Sequence, residues 1–148
     1  MRKPQNFQWK EMTMGTCYYP EHWDKKLWAD DLDRMKKAGI SVIRIAEFAW
    51  SKVEPEEGVF TYDFFDEFME LCKQEEMQVI FGTPTATPPA WLTEKYPEVL
   101  NCRQDGVPYR HGARRHYNYN SSKYRELSAR IVEKLAQHYG KHPAIVGW

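Results

Sequence analysis

The amino-acid sequence predicts an α/β fold, a parallel sheet whose strands are joined by helical crossovers. Three observations carry this. Short apolar runs at 12–18, 42–46 and 78–82 alternate with longer stretches whose apolar residues recur at helical spacing. The links from helix back to strand are brief, at 39–41 and 76–77, as in repeated βαβ units. Finally, Val42-Ile43-Arg44-Ile45-Ala46 lacks the alternation of a half-exposed strand, as expected where both faces of a parallel sheet are covered.

The elements follow in order. Residues 12–18 read as a first strand, with Gly15 admitting close backbone approach. The aromatic turn Tyr19-Pro20-Glu21-His22-Trp23 leads to Asp24, an N-cap for a helix over 25–38. Trp28, Leu32 and Met35 share one face of it, and Gly39 ends it. After the 42–46 strand, a loop over 51–58 precedes a helix over 62–75, with Phe64, Phe68 and Leu71 as its buried stripe. A third strand over 78–82 opens into the proline-rich segment 83–91 and a helical turn or two up to Tyr96. Residues 97–120 are polar, aromatic and irregular, and so long a loop in a compact domain usually carries function. A helix capped within 120–122 runs to Tyr139 with Leu127, Ile131 and Leu135 on one face. Ala144-Ile-Val-Gly-Trp148 begins a fourth strand, and the chain is expected to be a fragment cut inside that element.

Composition narrows the function classes. Basic and acidic residues number 21 each, so nothing favours a nucleic acid or an anionic membrane. The N-terminus lacks the apolar run of a signal peptide, and no stretch is long enough to span a bilayer. The scattered Cys17, Cys72 and Cys102 fit a reduced, cytoplasmic setting.

Two polar groups stand out. Arg44 within a strand and Glu47 just beyond it are costly to bury unless paired or at work, and carboxyl ends of parallel strands are where α/β folds place their sites. A structural ion pair and a functional site explain these two residues equally well. The second group is the loop from Cys102 to Asn118, with Arg103, Arg110, Arg114 and Arg115. Cys102, His111 and His116 match no closed zinc spacing and lack an evident fourth ligand, so no metal is expected. No glycine-rich turn supports phosphate binding, and no nucleophile motif is present. Substrate contact by an arginine, or a rim loop whose arginines pair with Glu54 or Asp105, both remain open.

The ordered motifs Cys17-Tyr-Tyr-Pro-Glu-His-Trp23, Arg44-Ile-Ala-Glu-Phe-Ala-Trp50 with Glu54-Pro55, Thr83-Pro-Thr-Ala-Thr-Pro-Pro-Ala-Trp-Leu92, Arg114-Arg-His-Tyr117 and Ile145-Val-Gly-Trp148 resemble the start of the catalytic domain of glycoside hydrolase family 42 β-galactosidases. The resemblance spans nearly all of the chain after the first ten residues. It implies the N-terminal half of a (β/α)₈ barrel over 11–148, about four parallel strands with intervening helices, behind an extension at 1–10. It also implies retaining hydrolysis of terminal β-D-galactosides by two glutamates. In this family both lie past the position of Trp148, so no catalytic residue is expected here and the chain alone should be inactive. What carries over is the sugar-binding wall: Arg114 as the sugar-contacting arginine, with Glu47 and Trp50 lining or bracing the pocket. Asn118 stands where some members place a zinc-site cysteine, which counts against zinc, and no cofactor is implied. The implied partner is a small β-galactoside, and family members often assemble as trimers. Another retaining β-glycosidase, a non-catalytic carbohydrate-binding half-barrel and a small doubly wound domain are the rivals. Strand order separates the last of these.

Overall fold

The computed structural model describes residues 12–112 and 114–148. The expected extension at 1–10 lies outside the described residues. Strands β1 (Met14–Cys17), β2 (Ile40–Ile45), β3 (Gln78–Phe81) and β4 (Ile145–Gly147) form one sheet in the order β1-β2-β3-β4, every neighbouring pair parallel. Helix α1 (Trp28–Lys37) joins β1 to β2. The single turn α2 (Trp50–Val53) and α3 (Asp63–Gln74) join β2 to β3. The short α4 (Ala90–Lys95) and long α5 (Ser122–Tyr139) join β3 to β4. Chain order equals spatial order, so winding never reverses. The sheet is part of a barrel wall and not a doubly wound domain.

The core explains the winding. Ile43 and Ile45 of β2 and Val79 and Phe81 of β3 share one sheet face, because side chains alternate along a strand. They form a single buried cluster with Trp28 and Leu32 of α1, Phe68 and Met69 of α3, and Leu127, Ile131 and Leu135 of α5. Trp28 meets Phe68 edge-on at 5.1 Å, and Phe81 stacks on Tyr139 at 4.9 Å. Burying each such side chain contributes about 1.5–3 kcal/mol, so this layer supplies most of the driving force.

Several element expectations are refined. Asp24 does cap, accepting from the Lys26 amide at 3.1 Å, but what it caps is a 3₁₀ turn, Lys25–Leu27, ahead of α1. The α5 cap is Ser121, whose hydroxyl accepts from the Tyr124 amide. One reading needs correction. The α3 stripe is rotated by one residue: Phe65, Phe68, Met69 and Cys72 are buried, while Phe64 and Leu71 pack only at its margin. Along β2, Val42, Ile43 and Ile45 are buried and Arg44 is exposed among the described residues.

Candidate functional site

The carboxyl ends of the strands build the candidate site. Ala46 leaves β2 with φ +64°, a left-handed conformation uncommon for a residue with a Cβ, and so swings Glu47 out of the strand direction. The end of β3 lies against the same turn. The Gly82 amide donates to the Ile45 carbonyl at 2.8 Å, and a Cβ on Gly82 would fall 2.8 Å from that oxygen and 3.0 Å from Glu47 Cα. Only glycine permits this approach.

Glu47 is the centre of the cluster. One carboxylate oxygen lies 2.7 Å from the Arg44 guanidinium and accepts a hydrogen bond from the Tyr19 hydroxyl at 3.3 Å. The other accepts from Arg114 at 2.9 Å, across 67 residues of sequence. Arg114 also lies over the Phe48 ring at 5.2 Å, and Phe48 leans on Tyr19 at 5.4 Å. The Glu47 side chain is 16% exposed, while those of Arg44 and Arg114 are 45% and 55% exposed. Burial raises the pKa of the Tyr19 hydroxyl, against the opposing pull of Arg44, and keeps it a proton-bearing donor. The cluster therefore presents, beside the bonds to Glu47, further guanidinium N–H groups in fixed positions, donors suited to ligand hydroxyls or anions.

The sequence-predicted residues separate here. Arg114 and Glu47 are brought into direct contact. Trp50 is completely buried, its indole donating to Glu54 at 2.8 Å. Of the pairings considered for the loop arginines, Arg103 meets Asp105 at 3.7 Å. Glu54 is instead paired with Arg130 of α5. Tyr19 and Phe48 join the cluster without having been singled out. The density of aromatics around Glu47 was the available signal. Cys102 is exposed, whereas His111 bonds Thr93 at 2.9 Å and lies 5.1 Å from the His116 ring. Burial lowers the pKa of His111. Among the described residues no three His, Cys, Asp or Glu are grouped to hold a metal ion.

The chain matches the model of the family Glyco_hydro_42, described as Beta-galactosidase, over residues 17–148. The chain belongs to glycoside hydrolase family 42. Among its relatives, a β-galactosidase from a Thermus species is 47% identical over 91% of this chain and 21% of its own length. One from Halorubrum lacusprofundi is 44% identical over 93% and 20%. A crystal structure of the β-galactosidase from psychrophilic Marinomonas ef1 superposes with a TM-score of 0.89 at 42% identity, over 93% of this chain and 21% of that one. The chain thus spans about a fifth of the length of the relatives it matches. Its four strands correspond to the N-terminal part of the family 42 barrel, and the sheet is not closed.

Proposed function

We propose that this chain is the sugar-facing N-terminal part of a retaining β-galactosidase, with Arg114 and Glu47 contributing to the wall that holds the terminal galactose. The observation that carries the proposal is the Arg44–Glu47–Arg114 cluster at the carboxyl ends of the strands, in a chain of a β-galactosidase family. Retaining hydrolysis uses one carboxylate as nucleophile and a second carboxyl as acid and then base, about 5–5.5 Å apart. We read Glu47 as a positioning carboxylate, since guanidinium groups engage both of its oxygens. It orients Arg114, and Arg114 donates to the sugar. The two catalytic glutamates belong to later strands of the complete enzyme, and the 148-residue chain alone is inactive. Trp50 supports the wall from beneath.

The proposal includes a cytoplasmic parent enzyme that forms trimers. The cytoplasmic setting is supported by three free cysteines. The test compares the chain with the complete enzyme on a chromogenic β-galactoside. Turnover by the complete enzyme alone is expected. Galactose binding without cleavage by either would favour the carbohydrate-binding alternative. Turnover by the purified 148-residue chain would overturn the assignment of the catalytic pair.

A further inference from the structure

Glu54 is completely buried, a state in which a carboxylate needs full pairing. Its partners come from separate parts of the chain. One oxygen accepts from the Trp50 indole at 2.8 Å. The other accepts from the Gly58 amide at 2.8 Å and from the Arg130 guanidinium of α5. Its backbone carbonyl accepts from the Trp91 indole of α4 at 2.9 Å.

These partners flank both residues of the proposed wall. Trp50 stands three residues beyond Glu47, in the turn that closes after β2. Helices α4 and α5 bracket the loop bearing Arg114. That loop is pinned by the bonds Asn101 amide to His116 carbonyl at 2.9 Å and Asn118 amide to Val99 carbonyl at 2.7 Å. The Tyr124 hydroxyl of α5 adds a bond to the Thr85 carbonyl at 2.8 Å. Glu54 thus ties the segment that presents Glu47 to the helices that flank Arg114, through its carboxylate to Arg130 of α5 and through its backbone carbonyl to Trp91 of α4. Buried ion pairs add little net stability compared with apolar packing, and their best-attested use is to select one arrangement.

We propose that Glu54 is a positioning residue, holding Glu47 and Arg114 in register through Trp50, Trp91 and Arg130. This rests on the reading of Glu47 and Arg114 as a sugar-binding wall. Glu54→Gln keeps the shape but turns an N–H₂ group toward N–H donors, so at least one partner loses its acceptor. Trp91→Phe removes the indole N–H that bonds the Glu54 carbonyl and leaves a smaller aromatic ring, and it serves if Glu54→Gln does not fold.

The experiment measures kcat and KM on a β-galactoside with folded variants of the complete enzyme. Met69→Ala, a core truncation on α3 that takes no part in the Glu54 hydrogen bonds, is the control for lost stability. Glu54→Gln is expected to lower kcat/KM about tenfold or more, mostly through KM, as for a displaced substrate contact. Trp91→Phe should follow in the same direction with a smaller loss, while Met69→Ala stays near wild type. Wild-type kcat/KM in both network variants would overturn the proposal. If the wild-type enzyme leaves β-galactosides untouched, the substrate reading fails on its own. Positioning is then read from the Arg114 guanidinium ¹⁵N signals of this chain. They should show restricted rotation in the wild type and in Met69→Ala, and lose it in Glu54→Gln. Unchanged signals in Glu54→Gln would sink the idea.

Discussion

Glu47 has partners from three segments, so removing any one of them has a limited structural cost. Arg114→Ala leaves Glu47 still held by Arg44 and Tyr19. Its expected effect is therefore on substrate: kcat/KM of the complete enzyme should fall by the equivalent of about 1–3 kcal/mol, as for a charged hydrogen bond. An unchanged kcat/KM would remove the assignment. Glu21 presents the opposite situation. Both its carboxyl oxygens are enclosed without a hydrogen-bonding side chain, and burial raises its pKa despite the attraction of His22 and Lys52. An acid whose pKa is higher folded than unfolded favours its protonated form in the fold. Its contribution is greatest below the unfolded value and is lost as pH rises through the folded one. Glu21→Gln should therefore melt above wild type at pH 7, with the difference closing toward pH 4; parallel melting curves at every pH would contradict this. In the sequence, Arg44 and Glu47 were legible because a charge in an apolar strand demands a reason. The pairing of Glu54 with Arg130 was not. The two residues lie 76 positions apart, and nothing local marks either as the other's partner.

At the scale of elements, helices and strands were legible from periodicity, but the orientation of α3 was not. Its sequence offers two overlapping stripes, and only the partner surface decides between them. Phe68 lies in both and is fully buried between Trp28 and Tyr18, whereas Phe64 lies at the margin beneath the Lys25 and Lys52 ammonium groups. Phe68→Ala should cost about 3–5 kcal/mol in urea unfolding, and Phe64→Ala clearly less. Equal losses would mean the stripe is placed wrongly. The β2–β3 contact makes a second demand. Gly82→Ala places a methyl group against the Ile45 carbonyl and the Glu47 backbone, so one strand end must shift. The expected outcome is a loss of galactoside affinity in the complete enzyme that exceeds the loss of thermal stability, checked by KM beside the melting temperature. The turn α2 escaped the sequence reading because four helical residues carry no periodicity.

For the whole molecule, the strand order 1-2-3-4 was implied by short links and parallel crossovers, which favour adjacent placement. What local pattern could not show was the long-range contact between Glu47 and Arg114, 67 residues apart, which joins the end of β2 to the loop after β3. The sequential order also affects how the chain is made. Each strand docks on the edge left by the one before it, although β4 pairs with β3 from 66 residues further along, Val79 with Ile145. Synthesis proceeds from the N-terminus, and contacts between near neighbours close quickly. The wall can therefore assemble strand by strand as the chain leaves the ribosome, and the clasp between Glu47 and Arg114 closes only when the loop after β3 has emerged.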